Sequence, residues 1–228
     1  MVTLTLTAII VAAGTGSRLN SPVPKGFVLL GGKPLYLHSL EILLAHNAVL
    51  DAVLVVPKGF EPQARAMVAG FASCKKVTVA AGGKERWQSV ENGVRAVDSE
   101  WVLVHDAARP FVTGAVVDAV LDKKDKFDCI ITVTPVVDTI REASGGLAGK
   151  TIDRSKLVRV GTPQLFRRKT LLKAFAAAPG LPSPPTDEAA LMQRAGVPVA
   201  LAWGDPANFK ITTPTDLATA EALLACRH

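Results

Sequence analysis

A short glycine loop with two nearby cations is the first feature of this chain that can do chemistry. An apolar run leads into Ala12-Ala13-Gly14-Thr15-Gly16-Ser17-Arg18, and Pro24-Lys25 follows. Glycine lets the backbone approach a ligand closely, and the N–H groups of such a loop can point at anionic oxygens. Arg18 and Lys25 add positive charge where negative charge builds up in phosphoryl or nucleotidyl transfer. The spacing predicts a grip on a triphosphate, although glycines after a strand also form plain turns.

The loop differs from two common phosphate-binding motifs. No Gly-Lys-Ser/Thr follows at the spacing of a P-loop. The position of the third glycine in a dinucleotide fingerprint holds Leu19. The second predicted strand ends at Pro57-Lys58, without the acidic residue that binds a ribose hydroxyl. A dehydrogenase is therefore disfavoured.

A second glycine pair opens a predicted helix. Gly82-Gly83 precedes Arg86, and Ser89 lies near the helix start, where a hydroxyl can reach a base or a phosphate. Helix N-termini favour anions. Because glycine pairs are common before helices, the motif alone leaves a structural role as open as a binding role.

An acid and an arginine follow a strongly apolar strand. Asp106 and Arg109 come just after the predicted strand Trp101–His105. Ligands of open α/β sheets bind at the carboxyl ends of the strands. Asp106 can hold Mg²⁺ or another divalent cation together with substrate phosphates, and Arg109 can grip a phosphate with its forked guanidinium. A pair that only braces a loop is the alternative.

Further cations and a hydroxyl lie towards the C-terminus. Lys210 follows the last predicted strand and would return a third cation to the same sheet edge. Thr139 and Arg154, with Arg141, belong to a predicted arm or lie beside it, and can offer a hydroxyl and positive charge to an incoming phosphate. The histidines show no ligand or triad spacing, so we expect core or surface roles for His38, His46, His105 and His228.

Alternating strands and helices must position these groups. Several strand candidates are nearly continuous apolar runs, as expected for a mostly parallel sheet buried on both faces. The alternation favours a doubly wound, Rossmann-like α/β fold. The predicted strands are Leu4–Ala12, Ala52–Val56, Val77–Ala80, Trp101–His105, Cys129–Thr134 and Val197–Ala202. The predicted helices are Leu35–Ala45, Pro62–Ala72, Arg86–Val97, Thr113–Lys124, Lys169–Ala178, Asp187–Ala195 and Thr215–Ala225.

One stretch, 136–160, departs from this alternation. Its strand-like pieces, Val136–Arg141 and Leu157–Val160, flank the polar run Glu142-Ala143-Ser144-Gly145-Gly146. We expect a β-arm that leaves the main sheet and packs on a second subunit, because an arm cannot bury itself alone. The proline-rich stretch Pro179–Pro185 is predicted to be a loop, so we expect a single domain over residues 1–228.

Composition and charge narrow the class of protein. The 228 residues are 49% hydrophobic and carry a net charge of +6, which favours anionic partners. The basic clusters 123–126 and 167–169 contain no interleaved aromatics, so we expect no nucleic-acid partner. No apolar run reaches transmembrane length, so we expect no membrane partner. Three separated cysteines without ligand spacing indicate free thiols and a cytoplasmic protein: Cys74, Cys129 and Cys226.

Read in order, the motifs resemble one known family along nearly the whole chain. The glycine loop with Pro24-Lys25 resembles the broad sugar-nucleotidyltransferase superfamily. With the later motifs, the chain resembles the 2-C-methyl-D-erythritol 4-phosphate cytidylyltransferase family of the non-mevalonate isoprenoid pathway. Those motifs are Gly82-Gly83-x-x-Arg86-x-x-Ser89-Val90, His105-Asp106-Ala107-Ala108-Arg109-Pro110, Asp138-Thr139, Asp153-Arg154, Thr162-Pro163-Gln164, Thr186-Asp187-Glu188 and Asn208-x-Lys210.

The resemblance implies a nucleotidyltransferase fold and an activity. Such an enzyme joins CTP and the small polyol phosphate methylerythritol phosphate with Mg²⁺, releases pyrophosphate, and is a homodimer with exchanged arms. It implies catalytic roles for Arg18, Lys25 and Lys210, and acceptor binding by Arg109, Thr139 and Arg154, the last from the partner subunit. It implies that Asp106 holds the metal and that the nucleotide binds at Ala12, Ala13, Gly14, Thr15, Gly16, Gly82, Arg86, Ser89 and Asp106.

Three alternatives stay open at the level of sequence. A cytidylyltransferase acting on ribitol 5-phosphate shares most of these motifs. A basic nucleic-acid-binding module would bind with a steep salt dependence and release no pyrophosphate. A non-catalytic nucleotide sensor would bind CTP without turning it over.

Overall fold

The computed structural model describes residues 4–19, 21–70, 75–178 and 185–226. The strands are β1 (Leu6–Val11), β2 (Leu29–Leu30), β3 (Lys33–Pro34), β4 (Asp51–Val56), β5 (Val77–Ala81), β6 (Trp101–Asp106), β7 (Cys129–Pro135), β8 (Ile140–Ser144), β9 (Leu147–Ile152), β10 (Val158–Arg167) and β11 (Val199–Trp203). The helices are α1 (Leu35–Ala45), α2 (Glu61–Ala69), α3 (Arg86–Arg95), α4 (Gly114–Leu121), α5 (Arg168–Ala176), α6 (Glu188–Arg194) and α7 (Pro214–Ala225).

A seven-stranded sheet forms the centre of the fold, in the order β11-β7-β10-β6-β1-β4-β5. Neighbouring strands are parallel except at β10, which runs antiparallel to both β6 and β7. The predicted doubly wound, mostly parallel α/β fold is confirmed. Among the described helices, none has the length and apolarity needed to cross a membrane.

The central strands are apolar because helices cover both faces of the sheet. Along β1, Ala8 and Ile10 pack into one core cluster while Ile9 packs into another. The first cluster includes side chains of α1, α2 and α4, and the second includes side chains of α3, α5 and α6. Alternate side chains of a strand point to opposite faces, so a strand buried on both faces must be apolar throughout.

The predicted elements match the structure except at β10 and at the two short strands β2 and β3. Each predicted helix and each predicted strand of the alternating part overlaps an observed one, with ends that differ by a few residues. The predicted end of the second helix and most of the predicted loop Pro179–Pro185 fall outside the described residues. Strand β10 was missed beyond Val160 because Gly161-Thr162-Pro163-Gln164 has the composition of a loop.

The predicted arm needs a correction. Strands β8 and β9 form a separate, exposed hairpin, Ile140–Ile152, whose turn is Gly145-Gly146. Both turn glycines have positive φ, 57° and 80°, as a tight hairpin turn requires. Glu142-Ala143-Ser144, predicted to connect the strands, lies within β8. Residues 158–160, predicted as part of the arm, belong to the main sheet and pair with β7.

Candidate active site

A cleft of about 280 Å³ opens at the carboxyl edge of the sheet, where β1 and β6 end side by side. The strand register sets Val11 beside Asp106, so the loops after both strands share this edge. Ligands of open α/β sheets bind at such an edge. Nine of the predicted site residues line the cleft together: Ala12, Ala13, Gly14, Thr15, Lys25, Arg86, Ser89, Asp106 and Lys210.

The glycine loop folds back on Lys25. The N–H of Lys25 donates to the carbonyl of Gly14 at 3.2 Å, and the N–H of Leu19 donates to the carbonyl of Gly16 at 2.8 Å. Gly16 has a φ of +71°, and a Cβ at this position would lie 2.8 Å from the Cβ of Lys25. Any other residue would be strained in both respects. Gly16 therefore allows the close approach of the loop and Lys25.

Lys25 is a half-buried ammonium among other cations. Burial, then the positive charge of Lys210 and that of Arg18, lowers the pKa of Lys25 from 10.5 to about 8, against the opposing effect of Asp106. Arg18 itself is exposed and does not line the cleft. An anionic ligand in the cleft would supply the negative charge that this group of cations lacks.

Gly83 and Ser89 line one wall of the cleft, and the predicted site residue Gly82 packs against Ala13 and Ser89 without lining it. A Cβ on Gly82 would lie 2.5 Å from the Cβ of Ala13 and 2.9 Å from the Oγ of Ser89. The hydroxyl of Ser89 accepts from the N–H of Gly83 at 3.1 Å and donates to the carbonyl of Glu85 at 3.2 Å. Ser89 is 2% exposed, so its hydroxyl shapes the turn before α3. The N-terminus of α3 lines the cleft and favours an anion.

Asp106 organises the cations of the site. Its Oδ1 accepts from Nε and Nη2 of Arg86 at 3.3 and 3.0 Å, and its Oδ2 accepts from Nζ of Lys210 at 2.8 Å. The Nε of Arg109 lies 3.8 Å from the same Oδ2. Lys210 reaches this position because the N–H of the following Ile211 donates to the carbonyl of Ala108 at 2.9 Å. One carboxylate thus holds Arg86 and Lys210 by hydrogen bonds and lies close to the charge of a third cation, Arg109.

The ion pairs around Asp106 determine the pKa values of the groups that form them. Burial alone would raise the pKa of Asp106, but Arg86 and Lys210 outweigh it and hold that pKa far below its usual range. Burial alone would lower the pKa of Arg86, but Asp106 and Glu188 raise it. Burial lowers the pKa of Arg109, against the charge of Asp106. Asp106 is therefore ionised at neutral pH.

A buried histidine and threonine support the Asp106 turn. The N–H of Asp106 donates to Oγ1 of Thr162 at 3.1 Å, and the Oγ1 of Thr162 lies 3.1 Å from Nδ1 of His105. Nε2 of His105 lies 3.0 Å from the carbonyl of Arg109. Burial lowers the pKa of His105 to about 4, so the ring is neutral at physiological pH. Its role is to hold the turn, in line with the core role expected for it.

A second cleft of about 300 Å³ shares Arg86, Asp106 and Lys210 with the first and also includes Arg109 and Thr186. The two Nη atoms of Arg109 donate to the carbonyls of Asn208 and Val160 at 3.0 and 3.4 Å, so its fork is occupied by the backbone. Two residues that line this cleft carry a buried polar atom with no hydrogen-bond partner among the described residues: Arg109 at Nε and Gln164 at Oε1. Most buried polar groups in proteins are hydrogen-bonded, so these two atoms are open to a partner from a ligand or water.

Comparison with known proteins gives the family. The model of the 2-C-methyl-D-erythritol 4-phosphate cytidylyltransferase family matches residues 6–226. The chain belongs to this family. It is 39% identical over 221 residues to the 2-C-methyl-D-erythritol 4-phosphate cytidylyltransferase of Geobacillus kaustophilus, an alignment that covers 96% of this chain and 97% of the relative.

A bifunctional relative and a crystal structure show the same similarity. The chain is 41% identical over 220 residues to the bifunctional enzyme IspD/IspF of Anaeromyxobacter dehalogenans; the alignment covers 95% of the chain but only 56% of that relative. The crystal structure of 2-C-methyl-D-erythritol 4-phosphate cytidylyltransferase from Thermus thermophilus superposes with a TM-score of 0.82 at 32% identity, over 97% of this chain and all of that one. The family assignment therefore rests on sequence and fold together.

Two residues that the family resemblance predicts for acceptor binding lie away from both clefts. Thr139 is exposed and precedes the hairpin, and Arg154 donates through Nη1 to the carbonyl of Val137. Arg141, on the hairpin, donates to the carbonyl of Gly149 at 3.4 Å. Within one chain, none of these side chains lines either cleft.

Sequence reasoning gave no role to Glu188, Gln164 or Asn208. Glu188 forms an ion pair with Arg86, and the amide of Asn208 donates to the carbonyl of Thr162 at 2.9 Å. The amide of Gln164 donates to Asp187 at 3.3 Å. The sequence shows the motifs that contain these residues, but only the folded structure shows which partner each side chain contacts.

A divalent cation would need ligands from the substrate as well as from the protein at this site. Among the residues that the structure describes, no group of three or more His, Cys, Asp or Glu side chains could hold a metal ion. Both oxygens of Asp106 already accept hydrogen bonds from Arg86 and Lys210. Mg²⁺ commonly takes one or two carboxylates and completes its shell with phosphates and water. The residues present thus fit a cation that arrives with a triphosphate.

Proposed function

We propose that this protein transfers the cytidylyl group of CTP to the phosphate of 2-C-methyl-D-erythritol 4-phosphate. The products are 4-diphosphocytidyl-2-C-methyl-D-erythritol and pyrophosphate. The observation that carries the proposal is Asp106, which holds Arg86 and Lys210 where two clefts meet. Two adjoining clefts with shared cations suit two phosphate-bearing substrates, and the relatives bear the name of this activity.

The reaction needs no general base. An oxygen of the acceptor phosphate attacks the α-phosphorus of CTP, and the new O–P bond forms as the bond from the α-phosphorus to the bridging oxygen breaks. The electron pair leaves with pyrophosphate. A phosphate monoester is already anionic at neutral pH, because its second pKa is about 6. Catalysis then consists of positioning and of charge stabilisation by Lys25, Arg18 and Lys210.

The first cleft takes the nucleotide. Its glycine loop, with Ala12 and Ala13, and the turn at Gly83 present backbone to the ligand, while Gly82 packs behind them against Ala13. The N-terminus of α3 and the ammonium of Lys25 face the same space. Asp106, with the phosphate oxygens of CTP, would hold Mg²⁺ or another divalent cation, which supplies further positive charge to the triphosphate when bound.

The second cleft takes the acceptor, and a second copy of the chain completes it. Arg109 lines this cleft, and we assign Thr139 and Arg154 to the cleft of the partner. Exposed apolar side chains near the hairpin support association: Val137 is 67% and Leu147 is 77% exposed. Covering such apolar side chains with a second chain removes them from water, which favours association. Sedimentation of the full chain tests the dimer; a species of 24.0 kDa at micromolar concentration would contradict it.

The free thiols of Cys129 and Cys226 support a cytoplasmic location for this activity. The activity itself is tested by incubation of the protein with CTP, Mg²⁺ and a panel of polyol phosphates, with pyrophosphate release as the readout. Rapid release with methylerythritol phosphate supports the proposal. Release with ribitol 5-phosphate alone would assign the related activity, and CTP binding without release would indicate a sensor.

A further inference from the structure

We infer that Glu188 is a positioning residue that fixes the direction of Arg86 and balances the charge of the nucleotide cleft. The inference rests on the proposed function, because Arg86 lines the cleft assigned to the triphosphate. Glu188 is the last residue of the Thr186-Asp187-Glu188 motif and the first residue of α6.

Two carboxylates hold the guanidinium of Arg86 from opposite sides. Both carboxylate oxygens of Glu188 accept from Nη1 of Arg86, at 2.9 and 2.6 Å. The Nε and Nη2 atoms of Arg86 face the other way and donate to Asp106. The guanidinium is thus held at both edges by two carboxylates that come from different parts of the fold. Charge-assisted pairs of this kind define orientation as well as adding energy.

The cap of α6 does not require a carboxylate at this position. Asp187 already caps α6, because its Oδ1 accepts from the N–H of Ala190 at 2.9 Å. The next residues of α6, Ala189, Leu191 and Met192, are buried in the core, so an apolar side chain would suit the position of Glu188. Glu188 is fully buried, and burial raises its pKa against the effect of Arg86. A buried carboxylate is retained most readily where it meets a charge that needs it.

The positive charge of Arg86 explains why a carboxylate is required beside it. If Glu188 were neutral, the Nη1 edge of Arg86 would have no opposing charge and would attract the triphosphate more strongly. Arg86 would also hold Asp106 less firmly, and Asp106 orients Lys210. Tighter binding of the ground state does not lower the barrier, since only interactions that are stronger in the transition state do so. Glu188 thus holds Arg86 in the orientation that supports Asp106. It also limits how tightly Arg86 binds CTP and pyrophosphate.

Glu188→Gln removes this charge and keeps the shape of the side chain. We expect the Kd of CTP, measured by calorimetry without acceptor, to fall about fivefold, because one opposing charge is lost near the triphosphate. Inhibition by pyrophosphate should tighten by a similar factor, while kcat falls about tenfold. A merely structural role would lower the active fraction without tightening either constant. The matched control is Glu91→Gln, which removes a carboxylate from an ion pair with Arg95 on α3, the helix that Arg86 begins. We expect this variant to keep the wild-type Kd of CTP, pyrophosphate inhibition constant and kcat.

Unchanged or weaker binding of CTP and pyrophosphate in a folded Glu188→Gln variant would overturn the inference. If that variant does not fold, Glu188→Asp takes its place: the charge is kept but the reach is shortened, so kcat should fall about tenfold while the Kd of CTP stays within about twofold. An unchanged kcat would then overturn the inference. Wild-type protein that binds CTP but releases no pyrophosphate would refute the proposed function instead, and the two binding constants would still test the role of Glu188.

Discussion

Lys25 gives the sharpest prediction, because its ammonium loses its proton within the range in which the protein can be assayed. Burial, with the charges of Lys210 and Arg18, lowers the pKa of Lys25 from 10.5 to about 8. Its charged form exists below that pKa and is lost as the pH rises through it. We therefore expect kcat/KM for CTP to be nearly constant up to about pH 7.5 and to fall about tenfold for each further pH unit well above pH 8.

The bound state should behave differently from the free enzyme. The negative charge of CTP favours the charged form of Lys25, so the alkaline limb of kcat should lie at a higher pH than that of kcat/KM. Both profiles come from initial rates of pyrophosphate release between pH 6 and 10 at constant ionic strength. The acceptor phosphate, whose second pKa is about 6, titrates only at the acid end of this range and does not contribute to a limb near pH 8.

Lys25→Arg is the matched control. A guanidinium keeps its charge throughout this range, so the variant should lose the limb near pH 8 even if its rate is lower at every pH. A flat wild-type profile up to pH 9.5 would refute the lowered pKa of Lys25. A limb near pH 8 that persists in Lys25→Arg would show that another group titrates there, and the reasoning from burial and charge would fail.

Three further predictions concern other parts of the site. Lys210→Gln should lower kcat by about a hundredfold in stopped-flow assays, as the loss of one preorganised donor does elsewhere, while the structure is retained by circular dichroism. Gly16→Ala should weaken CTP binding in calorimetry, because a Cβ would meet Lys25 at 2.8 Å; a wild-type Kd would contradict this reading. Mixing inactive Lys25→Ala and Arg154→Ala proteins should restore about a quarter of wild-type activity if arms are exchanged in a dimer, and no recovery would count against that exchange.

The alternating part of the fold follows from the sequence because its signals are local. Apolar runs such as Leu6–Val11 and Trp101–Asp106 report burial on both faces, and Pro34 marks a helix start. Strand β10 lacks such a signal beyond Val160, since Gly161 and Pro163 are atypical of a central strand. Its place between β6 and β7 is fixed by pairing with strands far away in sequence. Pattern alone therefore gives the layers of the fold but not the antiparallel strand.

The same distinction between local and distant signals applies to the candidate site. Gly16 and Lys25 are close in sequence, so their cooperation was predictable from spacing. The Asp106–Lys210 pair could be predicted only because both residues follow strands that end on one edge. Glu188 offered no comparable signal, because it starts a helix and its chemistry depends on Arg86, which begins a different helix.

The electrostatics of the site explain why so many of its groups must come from distant segments. Within one short loop, Arg86, Arg109 and Lys210 would repel one another; around Asp106 they share one carboxylate and are kept in fixed directions. Such an arrangement needs little reorganisation when a phosphate arrives, and preorganised charge is the main source of catalysis where no proton must be moved. The cost is a fold in which β6, α3 and the loop before α7 must meet at one sheet edge. The parallel directions of β5, β1, β6 and β11 place the ends of all these strands, and the segments that follow them, on that edge.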